Sequence, residues 1–207
     1  MKIFQISVEN ITVKFAEKEI LKNFSLNIKE GEKILICAPS GKGKSTLLKI
    51  LMGFEKTNLG KIFIEGLELN EKNIESIREN LGYLSQNIHF QNLKVCELIN
   101  QIFNYKNNNK KFEIKSKINS LIEYFSLEKD ILQKKVENLS GGEKQRIGFI
   151  IIILLDKKIW LLDEITSSLD QSMKEKVIEY IINTTKTIVM VSHDKIKGFE
   201  RFRRIEL

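Results

Sequence analysis

The sequence predicts an α/β fold built on a mainly parallel sheet, and three observations lead there. Lys33–Ala38 (KILICA) is a continuous apolar run that leads into a glycine-rich stretch and then a helical one. Ile159–Leu162 (IWLL) is a second apolar run, ended by Asp163 and Glu164, and Thr187–Val191 (TIVMV) is a third. Short runs buried on both faces are what central parallel strands look like. Alternation with helical stretches implies crossover connections between them.

The remaining elements follow in order. Ile3–Val8 and Ile11–Phe15 read as strand, with branched and aromatic residues in rough alternation. Ile20–Ile28 alternates more cleanly, with Leu21, Phe24, Leu26 and Ile28 as its buried set, and Glu30-Gly31 turns the chain into KILICA. Lys44–Gly53 reads as helix, Asn58–Gly60 as turn, Lys61–Ile64 as strand, Ile74–Asn80 as a short helix and Leu81–Ser85 as strand. From Gln86 to Leu139 no strand pattern is evident. Val95–Phe103 and Phe112–Phe125 read there as amphipathic helices, separated by the polar linker Lys106–Lys111. Gly142–Leu155 is a helix apolar nearly all round, hence predicted buried. Ser172–Ile182 is a further helix and Arg204–Leu207 a last short strand. No internal repeat is visible. The expectation is a single domain over residues 1–207, with 1–86 and 139–207 forming the core and a β subdomain, and 87–138 forming a helical subdomain.

Composition sets the bounds. With 207 residues, 42% of them hydrophobic, the chain can bury one sizeable core. A net charge of +7 suits phosphate ligands, nucleic acid or an anionic membrane face, although heavy lysine usage accounts for most of it. Cys37 and Cys96 form no metal motif and are too few for a disulfide scaffold, so a reducing cytosol is expected. Cys37 reads as a small buried strand residue. The longest apolar run, Phe149–Leu155, is far short of the roughly 20 residues a membrane helix needs. The opening MKIFQISVEN lacks a signal-peptide core. A transport role would therefore place the membrane part on another chain.

The glycine-rich stretch Ala38–Thr46 (APSGKGKST) carries the first chemistry. Gly41 and Gly43 let backbone N–H groups turn inward around phosphate oxygens, and the helix that follows points its positive end at the same place. In the general pattern G-x-x-x-x-G-K-[ST], Gly43-Lys44-Ser45 supplies the end. Ala38 stands where the first glycine is usual, which we expect to be tolerated with slight strain. Pro39, Ser40 and Lys42 fill the loop. Lys44 would contact the β- and γ-phosphates and the Ser45 hydroxyl would coordinate Mg²⁺. Asp163 and Glu164 close an apolar strand, and adjacent strand residues point to opposite faces, so the two need not share a role. Asp163 would hold Mg²⁺, and Glu164 would polarise an attacking water as general base. A merely polar strand end explains one acid but not a pair opposite a phosphate loop. Ser140, Gly141 and Gly142, at the start of the apolar helix, form a second potential anion site.

Four motifs in order, APSGKGKST, LSGGEKQR (Leu139–Arg146), IWLLDE with SSLD (Ser167–Asp170), and VMVSHD (Val189–Asp194), resemble the nucleotide-binding subunit of an ABC ATPase. The resemblance runs from about Phe15 to His193. It implies a P-loop NTPase core with a mainly parallel sheet, an N-terminal antiparallel β subdomain and an inserted α-helical subdomain. It implies ATP and Mg²⁺ as cofactors and ATP hydrolysis as the activity. Thr46 then adds a donor near the α-phosphate. Gln86 matches a loop glutamine that contacts the Mg²⁺ and attacking-water region, and His193 a switch histidine that binds the γ-phosphate and orients the water of Glu164. Phe15 sits about where an aromatic stacks on adenine, and could equally be a core residue. His89 reads as a surface loop residue, in the region where the resemblance places a partner helix.

The resemblance also implies partners. Two copies pack head-to-tail, each closing its Ser140–Gly142 signature on ATP held by the other's phosphate loop, with Asp170 crossing the interface. Three readings compete: the ATPase subunit of a membrane transporter, a soluble non-transport ABC ATPase acting on ribosomes or DNA, and a nucleotide-dependent regulator without turnover. The Gln86–Leu139 interval is too short for a long coiled coil, which disfavours the DNA type, and a single cassette disfavours the translation type. The leading expectation is a cytoplasmic ATPase, peripheral on the inner face of the cell membrane through a separate permease, with no nucleic-acid partner. The DEIT wording at Asp163–Thr166 and the LSGGEKQR signature look similar to a small bacterial group linked with iron or metal export, with lipoprotein- or peptide-export ATPases as close alternatives. Three departures from the family pattern, Ala38, Ile151 (where an arginine is usual) and Ile165 (where a proline is usual), raise the prospect of weakened hydrolysis.

Overall fold

A computed structural model describes residues 4–16, 18–39, 41–104 and 111–207, the side chains of Phe15 and of residues 111–116 excepted. Expectations that fall on Ile3, Ser40, the Phe15 ring and linker residues 106–110 lie outside the described residues.

Two sheets organise the chain. The first is antiparallel, in the order β2-β1-β4-β5. It contains β1 (Ile6–Phe15), β2 (Lys18–Ile28), β4 (Leu59–Ile64) and β5 (Leu67–Glu68). The two predicted N-terminal strands are thus one bulged strand, and β4 begins within the predicted Asn58–Gly60 turn. Gly60 sits there at φ +86, and a Cβ would lie 2.4 Å from the Glu9 carbonyl oxygen, a fit that only glycine allows.

The second sheet is parallel, in the order β6-β7-β8-β3-β9. It contains β3 (Lys33–Cys37), β6 (Leu81–Leu84), β7 (Ile159–Asp163), β8 (Thr187–Val191) and β9 (Arg203–Glu206). The three apolar runs became the three interior strands. Their residues alternate between two apolar clusters, because successive strand side chains face opposite ways. Ile34, Ile36, Ile159, Leu161, Val189 and Val191 face α1 (Lys44–Leu51) and the antiparallel sheet. Leu35, Trp160, Leu162, Ile188 and Met190 face the other way.

That second layer is helical. It holds α3 (Val95–Asn104), α4 (Lys111–Tyr124), α5 (Gly141–Leu155) and α6 (Gln171–Asn183), and the short α2 (Ile74–Arg78) precedes β6. Among the described residues the 87–138 interval has no named strand, only α3, α4 and 3₁₀ turns at Lys129–Gln133 and Val136–Asn138. Its apolar residues, Val95, Ile99, Phe103, Ile122 and Phe125 among them, join the same cluster as α5 and the sheet. Phe125 meets Phe149 edge-on at 5.5 Å between centroids, and Phe149 meets Trp160 at 6.0 Å. Burying each such ring stabilises by about 1.5–3 kcal/mol, and the edge-on geometry adds to that. The predicted burial of the apolar helix α5 holds, with Ile147 to Ile152 all buried. Ile151, where the family has arginine, is simply core.

Candidate active site

Parallel pairing carries the candidate residues to one edge. Ile36 pairs with Val191, Val191 with Asp163, and Leu162 with Leu84. The segments just beyond Ile36, Val191, Asp163 and Leu84 begin the phosphate loop, the His193 loop, the Glu164 turn and the Gln86 loop. Ligands of open parallel sheets bind outside the carboxyl ends of their strands.

The phosphate loop closes on itself through Lys44. Its ammonium, 5% exposed, donates to the carbonyls of Ala38 at 2.8 Å and Pro39 at 3.1 Å. Gly43 caps α1 at φ +88, and a Cβ there would approach Ile20 Cγ2 to 2.4 Å. Gly41 stands at φ +76 with open space around it, as a turn reversing toward a ligand requires. Ala38, by contrast, is not among the residues with positive φ. The slight strain expected from its missing glycine has no cause in a left-handed backbone, the one region that would call for glycine there.

Asp163 lies on the α1 face of the sheet, as its parity with Ile159 and Leu161 dictates. It is 4% exposed and accepts a hydrogen bond from the Ser45 hydroxyl at 3.1 Å. Burial pushes its carboxyl above the usual range, a push that the Ser45 bond opposes and the Glu164 charge reinforces.

Glu164 does not follow strand parity, because its backbone turns into the left-handed region at φ +49. Its N–H bonds the Val191 carbonyl at 3.0 Å. Such a conformation is uncommon for a residue with a Cβ and is held only where surroundings over-determine it. The turn delivers the carboxylate to two partners. Gln86 Nε2 donates to one oxygen at 2.7 Å, and His193 Nε2 lies 3.3 Å from the other. Sequence reasoning placed all three residues near the chemistry, and the fold brings them into one contact set.

The signature helix α5 opens with a capping box. Glu143 N–H donates to the Ser140 hydroxyl at 3.2 Å, and Ser140 N–H donates to the Glu143 carboxylate at 2.8 Å. The Ser140 hydrogen remains available to donate. Gly141 and Gly142 lie against Ser168, where a Cβ on Gly142 would stand 3.0 Å from the Ser168 carbonyl oxygen. Asp170 caps α6, accepting from Met173 N–H at 2.9 Å, and it is exposed. Thr46 is half-buried on α1 and His89 is exposed, as a loop residue should be.

Three residues went unread. Gln145, buried, donates to Ser167 Oγ and accepts from Ser168 N–H, each at 2.9 Å, fastening α5 to the SSLD turn. Arg146 Nη1 reaches the carbonyls of Phe125 and Ser126, just past the end of α4. Asp194 accepts from Thr166 and from Lys174. Their letters stood inside or beside the motifs, but nothing in the spacing tells a polar residue which distant partner it meets.

A family model described as ABC transporter matches residues 21–167. The energy-coupling factor transporter ATP-binding protein EcfA1 of Mycoplasmopsis synoviae (strain 53) is 33% identical over 197 residues, covering 91% of this chain and 74% of its own. The arginine transport ATP-binding protein ArtM of Bacillus subtilis (strain 168) is 35% identical over 198 residues, covering 91% and 81%. Among solved structures, the dimeric post-hydrolysis state of the ATP-binding cassette MJ0796, bound to ADP and Pi, matches with a TM-score of 0.82 at 30% identity. That match covers 98% of this chain and 94% of the other.

Proposed function

The chain belongs to the ABC transporter family of ATP-binding domains, and from that premise we propose how its own residues bind and hydrolyse ATP. It is an ATP-binding, ATP-hydrolysing subunit that dimerises and drives a separate membrane permease. Among the described residues no helix is long and apolar enough to cross a membrane. We place the chain on the inner face of the cell membrane, held there by the permease.

One observation carries the mechanism: the phosphate loop, Asp163, Glu164, Gln86 and His193 converge at the carboxyl edge of one sheet, with Ser45 bonded to Asp163 across 118 residues. Lys44 exchanges its two loop carbonyls for β- and γ-phosphate oxygens. The backbone N–H groups of residues 41–46 and the N-terminus of α1 hold the remaining phosphate charge. The donor set of Ser45 hydroxyl, Asp163 carboxylate and Gln86 amide consists of hard oxygens, which suits Mg²⁺. Bound there, the ion would neutralise charge on the phosphates. Glu164 releases its resting contacts and accepts a proton from the attacking water, while His193 holds that water and the γ-phosphate.

Two copies pack head-to-tail, each placing Ser140, Gly141 and Gly142 on the γ-phosphate of its partner's ATP. Asp170 and the SSLD turn, fastened to α5 by Gln145, connect the two sites. Residues 87–138 form the helical subdomain that receives the permease, with 1–86 and 139–207 as core and β subdomain. Relatives named for different transport systems match at similar identity, so the proposal names no cargo.

The test is steady-state ATPase activity with Mg²⁺ over a range of protein concentrations, alone and with a candidate permease. Activity rising faster than linearly with protein is the expected result. Turnover strictly proportional to protein would overturn the shared-site dimer. ATP binding without turnover under every condition, permease included, would favour the regulator reading instead.

A further inference from the structure

Asp194 follows His193 directly and is bonded on both sides of its carboxylate. Thr166 Oγ1 donates to one oxygen at 2.7 Å and Lys174 Nζ to the other at 2.6 Å. Its own N–H donates to the Ser192 hydroxyl at 3.1 Å. The three partners come from separate places. Ser192 follows β8, fully buried Thr166 lies two residues past Glu164, and Lys174 sits in the first turn of α6, whose cap is Asp170. The Lys174–Asp194 pair is shielded, with side chains 16% and 26% exposed. Charge-assisted bonds of this kind are short and hold geometry better than neutral ones.

The residue beside it has no such anchorage. His193 stands in a loop outside any strand, its side chain is 44% exposed, and among the described residues Glu164 is the one partner of its ring. A ring that must meet a carboxylate and later a phosphate needs its backbone held, and the neighbouring carboxylate is what holds it. We propose that Asp194, clamped by Thr166 and Lys174, is the positioning residue that sets His193 against Glu164 and ties that pair to the α6 turn carrying Asp170. The clamp spans the three segments that must move together when nucleotide is bound or lost. This rests on the hydrolytic reading above for its consequence, but the geometry can be tested without turnover.

The chain has two histidines, His89 and His193, so ring resonances are assignable by NMR through His89→Gln. In the nucleotide-free chain Glu164→Gln should move the His193 resonances and leave those of His89 in place. In an Asp194→Asn or Thr166→Val background that response should vanish, whereas Thr166→Ser, which keeps the hydroxyl, should preserve it. Persistence of the full response in both backgrounds would overturn the proposal. Where wild-type turnover is measurable, Asp194→Asn should lower kcat roughly tenfold or more, as small misplacements at reacting centres do, with KM for ATP within about twofold. Unchanged kcat, or ATP affinity lost in step with kcat, would count against positioning. An inactive wild type beside an intact NMR response would fault the hydrolytic reading alone.

Discussion

Glu164 and Gln86, 78 residues apart, are joined by a 2.7 Å hydrogen bond from the amide to the carboxylate. With His193 3.3 Å from the second oxygen, Glu164, the proposed general base, has a partner on each carboxylate oxygen in the nucleotide-free chain. Freeing the carboxylate therefore means breaking contacts to loops that follow two other strands, which links the chemistry to conformation. Glu164→Gln should reduce kcat by about 10²–10⁴, the usual contribution of a general base. It should still permit ATP-dependent dimers, visible by size-exclusion chromatography; a monomer that binds ATP yet never pairs would contradict the head-to-tail assembly.

Lys44 holds two loop carbonyls in the place proposed for phosphate oxygens. Lys44→Ala removes both the resting clasp and the ligand charge. ATP binding measured by calorimetry should fall at least about a hundredfold, in line with the loss of charge-assisted bonds worth about 1.5–3 kcal/mol each. Undiminished binding would refute the phosphate-loop assignment.

Ala38 and Gly43 make opposite predictions. Gly43→Ala places a Cβ at φ +88 and 2.4 Å from Ile20 Cγ2, so stability should drop by at least about 1–2 kcal/mol for the backbone alone. Ala38→Gly meets no such demand. It should lower stability by only about 0.4–1 kcal/mol through the unfolded chain's extra freedom, with nucleotide affinity within about twofold. Denaturant titration and ATP binding on both variants decide between them.

Asp163 is an acid whose burial raises its proton affinity in the folded state. Between the ordinary carboxylate range and that raised value the folded chain binds more protons than the unfolded chain, so stability falls as pH rises through the window. Asp163→Asn should raise the Tm of the nucleotide-free chain at neutral pH and lose that advantage as pH falls into the ordinary carboxylate range. The same variant should lose Mg²⁺-dependent turnover. A variant no more stable than wild type at neutral pH would show that the carboxylate is not strained by burial.

Ser140 caps α5 and is proposed to meet the partner's nucleotide. Ser140→Ala should cost about 1 kcal/mol of stability by denaturant titration and weaken ATP-dependent dimerisation further than that loss explains. Ser140→Asp keeps a capping oxygen but adds a negative charge, so it should retain stability and lose the dimer. Equal dimerisation in both variants would remove Ser140 from the interface.

The parallel strands were legible as KILICA, IWLL and TIVMV because strands buried on both faces need no alternation, only unbroken apolar residues ended by a turn. The phosphate loop was legible because glycines and a lysine before serine answer to local geometry. The single bulged β1 was not: its two halves are separated by Asn10, whose left-handed φ of 50 looks from sequence like a break. The harmless character of Ala38 was also hidden, since the pattern says glycine is usual and not whether the backbone there demands one.

The sequence by itself determined which residue types meet phosphate, which strands are central and which helix is buried, because propensity, periodicity and turn chemistry act over a few residues. Tertiary structure alone decided the strand order β6-β7-β8-β3-β9, the left-handed turn at Glu164, and the contacts of Gln86 and His193 with its carboxylate. It alone decided that Asp194 meets Thr166 and Lys174. A polar side chain's partner depends on which segments the whole core brings side by side, and no local pattern encodes that.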